Sequence, residues 1–176
     1  MNLSSKGELI MEYKKLNNVE LEGASIFNLN FNGIEGQYNP AGRRNFCVEI
    51  PDELSEQMER DGWNIKHGKP KKNNPDEKWP DYLKVNVSWK NPRKQPEIFM
   101  VTSKKKILMN ENTVGRLDSA DIQNVDLVIE PSFWSRADGS SGYSAYVKAM
   151  WVTIAEPSFA DKYDDFPEDD EEVPYK

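Results

Sequence analysis

The sequence predicts an all-β domain of the OB type: a five-stranded barrel with extra strands, long loops and one or two short helices. Three observations lead there. Short segments alternate apolar and polar residues with period two, as half-buried strands do. Clusters of Gly, Pro and Asn separate them. One segment alone carries a convincing helical pattern, and it lies between the second and third strands. An immunoglobulin-like sandwich is the runner-up on the same pattern.

Residues 1–25 read as a lead-in with little pattern. Phe27, Leu29 and Phe31 then alternate with Asn28, Asn30 and Asn32, and Phe46, Val48 and Ile50 resume the alternation after a loop containing Gly33, Gly36, Asn39, Pro40 and Gly42. This predicts a β-hairpin with a long loop. Pro51-Asp52-Glu53 predicts a helix start capped by Asp52, with Leu54 and Met58 inward and Gly62 as the stop. Trp63 and Ile65 predict a further strand leading into residues 68–81, where Pro70, Asn73, Asn74, Pro75 and Pro80 exclude helix and ladder. Leu83, Val85, Val87 and Trp89 alternate with Tyr82, Lys84, Asn86 and Ser88, and Ile98–Thr102 follows a Pro-containing turn. The stretch 82–102 therefore predicts a central hairpin. After a short run at 107–109, Asn112 is expected to cap a helical turn through Val114 and Leu117. Val125, Leu127 and Ile129 form one face of a late strand, residues 138–142 form a hairpin loop, and Tyr143–Ile154, apolar on both faces, is expected to be central. The expected organisation is a lead-in (1–25), an OB-like domain (26–156) and a disordered acidic tail (157–176).

Charge is segregated along the chain. The 176 residues carry a net charge of -7, yet residues 66–106 hold 12 Lys/Arg against 4 Asp/Glu. Residues 161–176 alone carry eight acids and two bases. A basic middle with an acidic tail differs physically from a uniformly acidic surface. One cysteine excludes an intramolecular disulfide, and one histidine argues against a His/Cys metal cluster. No apolar run approaches the ~20 residues of a membrane span. A cytoplasmic protein with no cofactor, no metal and no membrane partner is expected.

Catalysis finds little support. His67 lies between lysines in a Gly/Pro-rich loop, which suits a solvated or phosphate-contacting side chain better than a poised base. Asp52 with Asp76-Glu77-Lys78 superficially resembles a metal-nuclease signature, but it falls on a helix start and a Pro/Asn-rich loop. The chain reads as no enzyme.

The basic middle suits single-stranded nucleic acid, whose phosphates need cations and whose unstacked bases need flat side chains. Lys66, Lys69, Lys71, Lys72, Lys84, Lys90, Arg93 and Lys94, joined by Arg43 and Arg44 from the first hairpin, are the expected phosphate contacts. Tyr82 and Trp79 are the expected base platforms, while Trp89 shares parity with the core set. The competing reading is a lysine-studded edge that discourages aggregation.

Two stretches carry a family resemblance. Residues 161–175, with Phe166-Pro167 and Val173-Pro174-Tyr175 set in the acidic run, resemble the acidic C-terminal tip of bacterial and phage single-stranded-DNA-binding proteins. Lys176 departs from the terminal aromatic usual there. Over residues 27–155 the body is similar to phage-encoded single-strand binders, notably at Asn45-Phe46-Cys47-Val48, Asp61–Lys66 and Asn124–Ile129. The resemblance implies non-catalytic, largely sequence-independent binding of single-stranded DNA in phage replication or recombination, in a host cytoplasm. It also implies recruitment of replication or recombination proteins through Phe166, Pro167, Val173, Pro174 and Tyr175. A homo-oligomer is left open. Two other classes also stay open: an interaction or inhibitor protein that mimics nucleic acid with acidic surfaces, and a metal-dependent nuclease.

Overall fold

The structure, a computed structural model, describes residues 15–155 and the backbone of two short antiparallel strands, β1 (Asn2–Leu3) and β2 (Leu9–Ile10). The tail residues Phe166, Pro167, Val173, Pro174 and Tyr175 lie outside the described residues. Eight further strands form one mixed sheet. They are β3 (Val19–Leu21), β4 (Ile26–Asn30), β5 (Arg44–Glu49), β6 (Tyr82–Val87), β7 (Glu97–Val101), β8 (Lys106–Met109), β9 (Ile122–Ser135) and β10 (Ser141–Ile154). The path runs β3-β9-β10-β6-β5-β4, with β7 on β10 and β8 on β7. This open, mostly-β arrangement with one α-helix and one 3-10 turn is the OB-type fold class that the alternation predicts.

β10 is central, as its two apolar faces require. One of its edges pairs antiparallel with β9 along its length, from Ser141↔Ser135 to Ile154↔Ile122. The other edge is shared in series. The Tyr143 N–H donates to Gly62 O (2.9 Å), Ala145 and Tyr146 pair in parallel with Val85 and Asn86, and Ala149–Thr153 pair in parallel with Glu97–Val101. The stretch 82–102 is therefore not a hairpin: β6 and β7 lie end to end along β10, and neither pairs with the other. A buried strand of 14 residues presents more N–H and C=O groups than a strand of six or of five can satisfy alone, and two in series do better.

Trp63 and Ile65, expected to open a strand, instead fill the gap where β6 and β10 part. Trp63 bridges Tyr143 and Lys66 bridges Tyr82, while both apolar side chains are buried. A register shift between Val147 and Ala149 is a bulge, and it exchanges the inward set from Tyr143, Ala145 and Val147 to Met150 and Val152. The core so lined includes Phe46, Val48, Leu83, Val85, Ile98, Met100, Leu127 and Ile129. β5 pairs antiparallel with β4, as the first alternation predicts, and with β6 on its other side.

α1 (Asp52–Asp61) ends on Gly62, whose φ of 106° is the left-handed conformation that favours glycine. Its N-cap is Pro51 and not Asp52, which stands in the first turn without a side-chain cap bond. Leu54 is exposed and Ser55 takes the inward seat beside Met58. The cause is Asp81, a buried carboxylate that accepts from Ser55 Oγ (2.5 Å), the Gly68 N–H (3.0 Å) and Lys78 Nζ (3.0 Å). Asp81 thereby ties the helix to both ends of the basic loop. The 3-10 turn (Val114–Ser119) is capped at Thr113 and not Asn112, with Asn110 Oδ1 accepting from both backbone amides.

The hydrogen bonds from Ser55, foremost, and from Gly68 and Lys78 hold the Asp81 carboxyl well below the usual carboxylate range. Asp81→Ala strands the buried Ser55 hydroxyl and the Gly68 N–H, whereas half-exposed Lys78 rehydrates. The expected loss is about 1–3 kcal/mol of folding stability, read by chemical denaturation at pH 7. Because the folded carboxyl titrates below its unfolded value, this contribution is present across the neutral range and disappears as the pH falls below about 4. The gap between wild type and variant should close there.

Candidate nucleic-acid interface

Period-two alternation puts one residue set of β6, β10 and β9 in the core and the other on a common outward face. The ladder registers order that face into rows. Asn45, Asn86, Tyr146 and Glu130 form one row across β5, β6, β10 and β9. Phe27, Cys47 and Lys84 form a second, continued on β10 and β9 by Ser144 and Ser132. Glu49 and Tyr82 belong to a third, as do Gly142 and Trp134. Three aromatics, Tyr82, Tyr146 and Trp134, thus share a face with Lys84.

Local packing sets each of these rings. Tyr82 meets Phe27 edge-on, with centroids 5.3 Å apart. Trp134 lies over Gly142, where an added Cβ would come within 3.0 Å of the indole, so only glycine lets the ring settle across β10. The Arg136 guanidinium stands 4.8 Å from the Trp134 ring centre, within cation–π range. Tyr146 needs no such seat, because its neighbours in the row are the amide of Asn86 and the carboxylate of Glu130.

Two adjoining clefts cut this face. One, of about 200 Å³, is lined by Lys84, Asn86, Trp134, Arg136 and Ser144. The other, of about 310 Å³, is lined by Ser88, Lys90, Lys94, Glu130, Ser132 and Tyr146. Lys94 Nζ stands 3.7 Å from Glu130, whereas Lys84, Lys90 and Arg93 face no carboxylate among the described residues. Cys47 sits between Phe27 and Lys84, and burial pushes its thiol up from its ordinary value.

The basic loop forms a separate arm. The N–H of Trp79 donates to Lys69 O (2.9 Å), and Gly68 lets the two limbs meet: a Cβ there would fall 1.6 Å from Trp79 O. Trp79 is 58% exposed with Lys71 Nζ 4.8 Å over its ring, and Lys66, Lys69 and Lys72 are exposed beside it in the chain. His67 is not a free loop side chain. Its Nε2 is 2.7 Å from Glu59 of α1 and its Nδ1 is 3.4 Å from Asp81.

Of the residues expected from sequence, the structure brings Tyr82, Lys84, Lys90 and Lys94 to the common face, with Arg93 exposed in the β6–β7 loop and Lys66 beside Tyr82. Trp79, Lys69, Lys71 and Lys72 stand on the arm. Arg43 is exposed at the end of the β4–β5 loop. Arg44 is half-buried, donates from Nη2 to Glu111 O (3.0 Å) and packs 6.0 Å from the Trp89 ring centre. Sequence reasoning missed Trp134, Arg136 and Tyr146, although Tyr146 shares parity with Ser144 and Lys148. Asp52 and Asp76 lie on the helix start and in the loop, and no group of three or more potential metal ligands gathers among the described residues. No helix among those residues is long and apolar enough to cross a membrane.

A family model described as "Putative phage ssDNA-binding domain" matches residues 9–174. The chain belongs to this phage single-stranded-DNA-binding domain family. Its architecture is similar to the solved "Single-stranded DNA-binding protein from bacteriophage Enc34, C-terminal truncation", with a TM-score of 0.51 at 13% identity over 86% of this chain and 98% of that one. No curated protein matches the sequence. In this family member, the acidic neighbours of the loop histidine give it a measurable signature. The hydrogen bond that the protonated ring donates to the Glu59 carboxylate, foremost, raises the His67 pKa above its ordinary value. The bridge therefore stabilises the arm below about pH 6.5 and weakens as the pH rises through the raised value. A proton NMR titration of this single histidine should give a midpoint above about 6.5. Glu59→Gln should bring it down.

Proposed function

We propose that the outward face of β6, β10 and β9 binds single-stranded DNA with little sequence preference. The observation that carries this reading is the placement of three aromatic side chains, Tyr82, Tyr146 and Trp134, on one face among Lys84, Lys90, Lys94 and Arg136. Bases stack on the rings, a contact every base can make, and phosphates meet the cations. The arm carrying Trp79, Lys66, Lys69, Lys71 and Lys72 adds a further base contact and a positive approach, joined by Arg43 and Arg93. Arg44 is assigned to the fold rather than to DNA, since its guanidinium is engaged with Glu111 and Trp89.

The proposed role is in replication or recombination, a reading that family membership supports. The acidic tail recruits partner proteins through Phe166-Pro167 and Val173-Pro174-Tyr175, and no catalytic step is assigned. The protein acts in the host cytoplasm. Its tail, with eight acids against two bases, competes with DNA for the basic surface at the high effective concentration of a tethered segment.

Fluorescence anisotropy with labelled oligothymidylate tests the platform. Affinity should fall with salt with a log–log slope of roughly -0.7 per phosphate contacted. Trp134→Ala should weaken binding by about tenfold or more, as loss of one stacked base does, and Lys84→Glu should weaken it and flatten the salt slope. Wild-type affinity in both variants would reject the platform. Deleting residues 161–176 should tighten binding at low salt, with the gain shrinking as salt rises. An affinity unchanged by the deletion at every salt concentration would remove the tail from this competition.

A further inference from the structure

Beyond the bulge at Lys148, β10 continues outward as Trp151 and Thr153, alongside β7 and no longer β6. There a second aromatic group faces out. Leu108, Phe99, Trp151 and Asp126 form one cross-strand row over β8, β7, β10 and β9. The Phe99 and Trp151 rings are stacked, with centroids 6.0 Å apart and planes at 15°. Lys106 Nζ lies 4.6 Å over the Phe99 ring, and Leu108 is 52% exposed beside it. Lys148 occupies the bulge itself, exposed and without a partner on β9 in the ladder.

We propose that Phe99, Trp151 and Lys106 form a second base-stacking site, so that one DNA strand runs along β10 from Trp134 through Tyr146 and Lys148 to Phe99. This rests on the platform reading above and extends it. Three features favour a nucleic-acid occupant. The row is continuous with the platform along the same outward face of the same strand. A lysine accompanies each step: Lys84 near Trp134 and Tyr146, Lys148 at the bulge, Lys106 on Phe99. From Tyr146 to Trp151 the strand rises on the order of 16 Å, and the full path falls within the roughly 4–16 nucleotides that one OB-type domain covers. Asp126 ends the row and Glu97 borders it. Asp126 Oδ1 accepts from the Gly23 N–H (3.0 Å).

The inference predicts a length dependence that the central platform alone does not. Phe99→Leu keeps apolar bulk but removes the ring, and Lys106→Glu reverses the surface charge; an unchanged thermal midpoint verifies folding in each. Full-length wild type and variants are compared by anisotropy on oligothymidylates of about 4 and about 16 nucleotides, with Lys84→Glu as the platform control. Both variants should lose on the order of tenfold on the long strand and less than about twofold on the short one, while Lys84→Glu weakens both. If Lys84→Glu weakens binding but Phe99→Leu and Lys106→Glu bind the long strand as wild type does, the second site is wrong and the platform stands. If Lys84→Glu changes neither length, the platform fails and takes the second site with it. Variants that alter self-association in sedimentation without touching DNA affinity would make this row an interface between copies and overturn the proposal.

Discussion

Hydrogen-bond satisfaction along β10 is the constraint on which the rest of the structure depends. A buried central strand must pair every N–H and C=O on both edges, and no short strand covers 14 residues alone. β9 runs along one edge from end to end, interrupted at the Lys148 bulge, while the 62–63 segment, β6 and β7 abut along the other. That division dictates the bulge after Val147, where the pairing passes from β6 to β7. It also dictates the burial of Trp63 and Ile65, since the wedge between diverging strands must be filled with apolar volume. The outward face inherits its length from the same arrangement: the β9–β10 pair spans both aromatic groups, whereas β6 and β7 each reach only one.

Strand existence was legible in the sequence because side-chain parity is local. Leu83, Val85 and Val87 point inward wherever β6 pairs. Pairing partners were not legible, because β6 and β10 are separated by some sixty positions and a parallel ladder leaves no turn signature between its members. Adjacency in sequence suggested a hairpin for 82–102, and the larger hydrogen-bond demand of β10 overrode it. The same cause hid half of the candidate site. Lys84 and Tyr82 stood out as part of a charged, aromatic run, whereas Trp134 and Tyr146 sit in apolar stretches near few cations in sequence. They reach the basic face only through the β10 registers. Asp52 was read as a cap on residue type, but Pro51 takes that place.

Asp81 shows how a polar contact can direct an amphipathic helix. Leu54 has the spacing of a core residue, yet Ser55 is turned inward because its hydroxyl meets a buried carboxylate. An unpaired charge at that depth would be costly, so the helix, the Gly68 amide and Lys78 converge on it. The consequence is mechanical. Both ends of the 66–81 segment are anchored at one carboxylate, and its lysines and Trp79 project as a held arm instead of a loose loop.

The proposed binding face is not uniformly basic, and in that reading its acids help define what it accepts. Glu130 adjoins Tyr146 and Glu49 adjoins Tyr82, both on the outward face, while Lys90, Arg93 and Lys94 come from the loop at its edge. In the proposed mode, carboxylates on the floor repel phosphates and leave the rings to bases, whereas the surrounding cations hold the backbone. A duplex keeps its bases inside and presents phosphates outward, so it meets this floor with the wrong groups. An unpaired strand can turn its bases inward and its phosphates to the rim. The Lys94–Glu130 contact at 3.7 Å is loose and solvent-screened, so a phosphate can take over the lysine at small cost. Discrimination between strands then comes from which groups can reach the floor, and a chain with net charge of -7 can hold a polyanion without an overall positive field.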